Sequence, residues 1–302
     1  MTDLEVRRPK FDFTEDVPWN WNPQNPAFSF FMNATSMLAV GFEQMIVAAV
    51  QEAKPLITDP AVAAEATAFL RQEAQHSSTH RKHVTALIKS YPGLQQTFDA
   101  VTASFDRVTA TTPLEFRLAY VADLEATFTP SFKMMLDNDD ALFRPGDERV
   151  ASLLVWHFVE EVEHRSSALV IYDAVVGSSW YRLRALPGVV KHMIGVLAII
   201  ADGANAHISE EERQVDARTL LPAYGLRQTL RQKLGRAGGG PGTAFAAVPR
   251  RQRMVAAGRV LLSQTPFHNP EREPLPELAD RWFRRWDDGG DVTRWYTAEA
   301  VR

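Results

Sequence analysis

The chain has 302 residues, of which 45% are hydrophobic and 23% are charged, a composition typical of a globular protein with one large core. Its net charge of −4 indicates no particular class of partner. It contains no cysteine, which excludes disulfides, thiolate-bound zinc, iron–sulfur clusters and thiol nucleophiles. Any metal site must therefore be built from His and carboxylate side chains.

The N-terminal half of the chain has the pattern of amphipathic helices. Residues 1–25 include DVPWNWNPQNP, which is rich in Pro, Asn and Trp and predicts an ordered arm rather than a helix. Apolar residues then recur every three or four positions over 26–53 and over 59–91, where Asp-Pro provides a cap and a first helical residue. A shorter helix is predicted over 94–108.

Two further long helices are predicted before residue 177. Thr112-Pro113-Leu114-Glu115 has the pattern of a capping box, and the helix that it begins is expected to run to about residue 136. The stretches DNDD and RPGDE then break the chain before a fourth helix over 148–176. Since strand patterns are absent, the predicted fold class is all-α, with a four-helix bundle over 26–177.

Residues 178–302 are less regular and predict a helical extension that packs on the bundle. A fifth apolar helix is expected over 181–205. The segment 227–259 has eight Arg or Lys and no Asp or Glu, and AGGGPG at 237–242 predicts a loop within it. No nucleic-acid partner is expected, because no binding fold accompanies this basic segment. Contact of the fifth helix and the basic segment with a membrane surface is a further candidate interaction.

The expected location of the chain is the cytoplasm. The N-terminal residues lack the apolar stretch of an export signal. The most apolar stretch, 189–201, is shorter than the ~20 residues that span a bilayer. A homodimer is the expected oligomeric state, since it is ordinary for such bundles.

Ionisable side chains interrupt the apolar face of each long helix. They are Glu43 on the first helix, Glu73, His76, His80 and His83 on the second, Glu125 on the third, and His157, Glu161 and His164 on the fourth. A buried carboxylate costs several kcal/mol unless it is paired, hydrogen-bonded or bound to a metal. Two divalent cations would supply four positive charges to this core, which predicts a dinuclear metal site.

The spacing of these residues is specific as well. Two helices each carry a Glu-x-x-His pair, which presents a carboxylate and an imidazole one turn apart, and each of the other two helices carries a single Glu. This is the ligand set of carboxylate-bridged di-iron and di-manganese bundles. The predicted metal ligands are therefore Glu43, Glu73, His76, Glu125, Glu161 and His164. His80 is expected just outside this set, where it would hydrogen-bond a ligand or the substrate, and His83 is expected to be structural.

The helix order of these ligands resembles the ferritin-like di-metal superfamily over residues 26–177. His157 precedes Glu161 by one turn, which resembles the extra His ligand of the di-iron N-oxygenases that oxidise arylamines. This resemblance implies that His157 is a seventh ligand. Phe69 occupies the matching position of the second helix, so the site is expected to be asymmetric. Glu160 and Glu163 flank the proposed ligand and are expected to face solvent or to form salt bridges.

Short stretches of the chain resemble a second family as well. GFE at 41–43, RQEAQHSSTH at 71–80 and HFVEEVEHR at 157–165 are similar to a bacterial family described as predicted metal-dependent hydrolases. Hydrolytic sites can also be dinuclear.

Together these resemblances imply two Fe ions, with Mn or a mixed Mn/Fe pair as alternatives and Zn as a less favoured one. The expected function is a di-iron oxidase or oxygenase that uses O2 as co-substrate to oxidise a small organic molecule, with an external electron donor as a candidate partner. The alternative is a hydrolase with a dinuclear metal site. A third interpretation is metal storage or a purely structural bundle, which the long C-terminal extension makes harder to accommodate.

Overall fold

The computed structural model describes residues 4–221 and 244–299, and helices are the only regular secondary structure in these ranges. The helices in chain order are α1 (Pro26–Ala53), α2 (Pro60–Ser90), α3 (Leu94–Thr111), α4 (Leu114–Leu136), α5 (Asp139–Leu142), α6 (Glu148–Glu163), α7 (Ser167–Val175), α8 (Ser179–His207), α9 (Glu210–Arg213), α10 (Arg250–Ser263), α11 (Glu277–Asp287) and α12 (Trp295–Glu299). The predicted all-α class is confirmed. The predicted loop at 237–242 lies outside the described residues.

The first two long helices begin where local capping chemistry predicts. Asn25 accepts a hydrogen bond from the backbone N–H of Phe28, and Pro26 is the first residue of α1. Asp59 accepts one from the N–H of Ala61 at the start of α2, where proline again occupies the first helical position. Both prolines lack the N–H that the first turn could not have satisfied, so they begin these helices without losing a hydrogen bond.

The predicted capping box before α4 is wrong. Pro113 precedes the helix, and no side chain caps its first turn. The hydroxyl of Thr112 instead donates to the carbonyl of Val108, at 2.7 Å, and so satisfies the end of α3. Because α3 ends at Thr111 and α4 begins at Leu114, the short connection leaves Thr112 beside the earlier helix.

The fourth predicted helix, over 148–176, is interrupted. α6 ends at Glu163, and α7 begins at Ser167 after a short turn. Within this turn the N–H of Ser167 donates to the carbonyl of His164, at 2.8 Å. The interruption matters for the site because it places His164 at the C-terminal end of α6 rather than in the middle of a continuous helix.

The helices enclose one hydrophobic core, to which α1, α2, α4, α6 and α7 all contribute. α1 packs along α2, α3 and α4, and α8 covers α3 and α4 from the other side. α6 lies deepest, since every residue over 150–162 is buried. The N-terminal arm also packs on the core, with Phe11, Val17, Trp19 and Trp21 each at most 4% exposed.

Within residues 4–221 and 244–299, two helices are long and apolar enough to cross a membrane by length and composition alone. One is Pro26–Leu56, whose most apolar window is 72% buried, and the other is α8, with 22% of its window buried. The first is a core helix of this fold. The apolar stretch 189–201 lies within α8, whose bounds agree with the fifth apolar helix predicted over 181–205. A cytoplasmic location and a membrane-surface contact stay predictions.

Candidate metal centre

The seven side chains that are predicted as ligands lie together in the interior of the fold. They are Glu43 from α1, Glu73 and His76 from α2, Glu125 from α4, His157 and Glu161 from α6, and His164 directly after α6. None of them is more than 3% exposed. Four helices therefore bring four carboxylates and three imidazoles to one buried place.

Their ligand atoms form overlapping groups in which all atoms lie within 4.8 Å of one another. The groups are Glu73, Glu125, Glu161 and His164; Glu43, Glu73 and His76; His76, His157 and Glu161; and Glu43, His80 and His157. Glu73 and Glu161 each belong to more than one group. Shared carboxylates of this kind are what two neighbouring cations require.

The closest contacts join imidazole nitrogens to carboxylate oxygens. Nε2 of His164 lies 3.1 Å from Glu161 Oε2 and 3.2 Å from Glu73 Oε1. Nε2 of His157 lies 2.9 Å from Glu161 Oε1 and 3.3 Å from Glu43 Oε1. An imidazole therefore lies beside each carboxylate oxygen of Glu161, His157 beside Oε1 and His164 beside Oε2.

The centre is asymmetric, as the sequence predicts. His157 contributes an additional nitrogen beside Glu43. At the matching position of α2, the ring of Phe69 packs against the ring of His164 with centroids 5.0 Å apart. One half of the cluster is therefore richer in imidazole, and the other half is closed by an apolar ring.

Several atoms of this cluster have no hydrogen-bond partner of suitable geometry. They are both carboxylate oxygens of Glu73, Oε2 of Glu43, Oε1 of Glu125 and Nδ1 of His76. Native proteins rarely leave buried polar atoms unpaired. Within residues 4–221 and 244–299, the ion pairs of these three carboxylates join them to His and not to Lys or Arg. Bound cations would satisfy these atoms, so the residues present fit a dinuclear metal site.

Burial and mutual repulsion shift the acidity of these groups. Burial, followed by the charges of Glu73 and Glu161, raises the pKa of Glu43 well above its usual range. Burial and the charge of Glu161 do the same to the pKa of Glu125. Burial lowers the pKa of His76, but the hydrogen bond to Glu160 and the nearby carboxylates of Glu161 and Glu73 outweigh it and raise this pKa to about 9. Without cations, protons balance part of the negative charge, and binding of cations would displace them.

Like His76, Glu161 and His164 shift in the opposite sense from what burial alone would give. Burial raises the pKa of Glu161, but the charge of His164 and a hydrogen bond from His157 outweigh it and hold this pKa well below its usual range. Glu161 in turn raises the pKa of His164 against the effect of burial. His164 and His157 therefore favour the ionised form of Glu161.

Two residues outside the ligand set fix the orientation of the ligand imidazoles. Nε2 of His76 lies 2.9 Å from Oε2 of Glu160, and Nδ1 of His164 lies 3.1 Å from Oε1 of Gln72. Each outer nitrogen can donate its proton to these acceptors, which leaves the opposite nitrogen of the ring free to face the centre. Of the two arrangements expected for Glu160, the structure has the salt bridge: its side chain is fully buried and pairs with His76 and Arg7.

Arg7 connects these outer contacts. Its guanidinium lies 3.4 Å from Glu160 and 2.8 Å from Glu163, and it is only 5% exposed. Gln72 also donates to Glu163, at 3.0 Å. The N-terminal arm thus supplies the positive charge that balances Glu160 behind His76. No local pattern around Arg7 distinguishes it in the sequence, because its partners lie far along the chain.

A row of polar side chains extends from the other side of the centre. Nδ1 of His157 lies 2.7 Å from Nε2 of His80, whose Nδ1 lies 3.0 Å from Oγ of Ser36. The same oxygen lies 2.9 Å from Nδ1 of His83. Burial lowers the pKa of His80 well below its usual range and that of His83 to about 4, so both rings are neutral. His80 thus contacts the predicted ligand His157, and Ser36 lies between His80 and His83, which is further from the centre.

An apolar cavity of about 270 Å³ opens onto the centre. Side chains of α1, α4 and α8 form its wall, and Glu43, Glu73, Glu125, His157 and Glu161 all line it. The cluster is therefore accessible to a small molecule, although each of its members is buried from bulk solvent.

A buried cluster of carboxylates and imidazoles in a helical core defines a metal-binding helical protein. The chain matches over residues 5–238 the model of a family described as predicted metal-dependent hydrolases, and it belongs to this family. The matched residues include all seven predicted ligands. No curated protein and no solved structure matches the chain.

The prediction of a dioxygen-activating di-iron oxidase or oxygenase is wrong. The family description names hydrolysis, which was the alternative. The error has a physical cause, because carboxylate and imidazole ligands serve both oxidative and hydrolytic dinuclear centres and do not by themselves select the reaction. Since no solved structure matches, membership of the ferritin-like superfamily stays a prediction, as do the boundaries 1–25, 26–177 and 178–302.

Proposed function

We propose that this chain hydrolyses a small organic substrate at a dinuclear metal centre. The observation that carries this proposal is the convergence of four carboxylates and three imidazoles on one buried point, with unpaired atoms facing it. The family to which the chain belongs supports a hydrolytic reaction.

The geometry suggests how the ligands divide between two cations. Glu73 and Glu161 would contact both, since each shares one ligand group with Glu125 and His164 and another with His76. His76 and His157 with Glu43 would complete one coordination sphere, and Glu125 with His164 would complete the other. Fe, Mn and Zn all accept such ligands. When bound, two divalent cations lower the pKa of a water molecule and polarise a carbonyl or phosphoryl oxygen.

The chain contributes orientation, exclusion of water and proton binding. Glu160 and Gln72 hold the rings of His76 and His164 in the required tautomers. The apolar wall of the cavity keeps bulk water from the substrate, which strengthens each electrostatic interaction at the centre. Because the pKa of Glu43 is raised in the absence of cations, this carboxyl would release its proton when cations bind.

Elemental analysis of the purified chain after expression with balanced Fe, Mn and Zn tests this proposal. We expect about two ions per chain, lost in Glu161→Ala and retained in Glu148→Ala, which changes a glutamate at the opposite end of α6. Ester, amide and phosphoester hydrolysis should disappear with the metal and should not depend on dioxygen. A folded chain that binds no metal, or hydrolysis that survives Glu161→Ala, would overturn the proposal.

A further inference from the structure

The cavity beside the centre has an almost entirely apolar wall. Apart from the residues of the centre, its lining consists of aliphatic, aromatic and methionine side chains and three hydroxyl groups, those of Thr35, Thr127 and Ser131. Neither Lys nor Arg lines it within the described part of the chain. Among the residues that the structure describes, the charged groups that line the cavity all belong to the centre itself.

The three hydroxyl groups are already engaged. Thr35 donates to the carbonyl of Phe31 at 2.9 Å, Thr127 to that of Leu124 at 2.7 Å, and Ser131 to that of Thr127 at 2.7 Å. Each hydroxyl therefore uses its one proton within its own helix. A polyhydroxylated or charged molecule would lose its hydration in this cavity without gaining donors in return.

The charge at the centre also favours a neutral substrate. Four carboxylates and two divalent cations sum to zero, and imidazoles that bind a cation are neutral. An anionic phosphate ester would therefore find no net positive charge, either at the centre or along the wall. A carboxylic ester or amide is neutral, and it presents a single polar group.

We propose, on the basis of the hydrolytic function proposed above, that the substrate is a small neutral carboxylic ester or amide whose apolar group occupies this cavity. In the reaction, the oxygen of water bonds to the carbonyl carbon, and the C–O or C–N bond to the leaving group breaks. A proton from water passes to the leaving alcohol or amine, and the acid forms. The cavity of about 270 Å³ limits the apolar group to roughly nine non-hydrogen atoms, at ~30 Å³ for each water-sized unit.

The test measures binding rather than turnover. The probes are the straight-chain hydroxamic acids from acetohydroxamic to dodecanohydroxamic acid, titrated by calorimetry into the metal-loaded protein. Each added methylene group that enters the cavity should tighten binding about fourfold. The affinity should stop rising once the alkyl chain is longer than the cavity, so the series also measures the length of the cavity.

Variants on α8 locate the binding site. Leu197 lines the cavity, so the Trp side chain of Leu197→Trp should fill part of it. The affinity should then stop rising at a shorter alkyl chain, while the affinity for acetohydroxamic acid stays unchanged. Met193→Phe, on the same wall, provides a second and smaller obstruction. Ile194→Trp is the matched control, because Ile194 is 38% exposed and does not line the cavity. Metal content and helical circular dichroism are recorded for each variant.

The outcomes separate this inference from the proposed function. A chain that holds two metal ions and binds acetohydroxamic acid, but gains nothing from longer probes, would overturn the substrate class and leave the hydrolytic centre in place. Equal effects of Leu197→Trp and Ile194→Trp would place the alkyl group outside this cavity and overturn the inference as well. Loss of metal from the unmodified chain would instead refute the centre itself.

Discussion

Glu160 offers a decisive test of how the centre is held, because it touches a predicted ligand without being one. Its Oε2 lies 2.9 Å from Nε2 of His76, and its side chain is fully buried. The substitution Glu160→Gln keeps the size of the side chain and an oxygen that can accept the same hydrogen bond. It removes the negative charge that stabilises a proton on this nitrogen.

The expected magnitude follows from two independent considerations. A hydrogen bond to a charged group contributes ~1.5–3 kcal/mol, about twice the value for a neutral pair. Loss of a residue that orients a ligand imidazole typically lowers metal affinity by about 10- to 100-fold, or ~1.4–2.7 kcal/mol. We therefore expect Glu160→Gln to weaken binding of one cation by at least about tenfold, and to leave the second, on the side of His164, less affected.

A competitive titration with a coloured chelator measures both binding steps. Glu148→Gln provides the matched control, since it makes the same change in the same helix but Glu148 contacts Ser152 and α12 instead of the centre. Unchanged affinity in Glu160→Gln, or equal losses in both variants, would show that the 2.9 Å contact does not organise His76 for metal binding.

Three further predictions concern stability and surfaces. Burial lowers the pKa of His83 to about 4, below the ~6.5 of an unfolded chain, so its contribution is complete above pH 6.5 and is lost as the pH falls towards 4. Between pH 7.5 and pH 5, urea unfolding of the metal-free wild-type chain should lose ~2 kcal/mol more than that of His83→Gln, and equal losses would contradict this reasoning. Gly203→Ala should lower the free energy of unfolding by ~1–3 kcal/mol in thermal unfolding, because the added Cβ would overlap Thr97 where α8 packs on α3. Gly195→Ala is the matched control in the same helix. Its added Cβ meets open space, so it should raise the free energy of unfolding by up to ~1 kcal/mol. If α8 contacts membranes, the wild-type chain should sediment with anionic liposomes. Trp180 lies on α8 and is 74% exposed, so Trp180→Ser should weaken this binding. Failure of the wild-type chain to sediment would contradict the membrane contact.

The elements that could be predicted from the sequence are those whose signals are local. α1 and α2 begin at Pro26 and Pro60 behind capping side chains, and their apolar periodicity continues to their ends. The turn between α6 and α7 has no such signal. Neither Gly nor Pro marks residues 164–166, and the apolar periodicity continues across the break, so that only tertiary packing decides where the helix is interrupted.

The same distinction between local signals and tertiary packing applies to the residues of the candidate site. Spacing of three or four residues places Glu73 beside His76 on one face of a helix, and it predicts that the two side chains meet. Glu160 could not be placed by such reasoning. α6 is buried on all sides over 150–162, so it has no polar face, and a residue next to Glu161 need not point to solvent. Its partner Arg7 belongs to an arm that has no helical period at all.

The same distinction explains why the sequence could predict which side chains lie together but not which reaction they serve. Ligand positions follow from the period of four helices, each of which can be recognised by itself. The reaction depends on what reaches the centre and what surrounds it there, and the cavity wall combines Phe31 of α1, Leu124 of α4 and Leu197 of α8. These residues adjoin one another only because the helices pack. The substrate class proposed above rests on this wall without free donors, which is a property of the folded chain rather than of any motif.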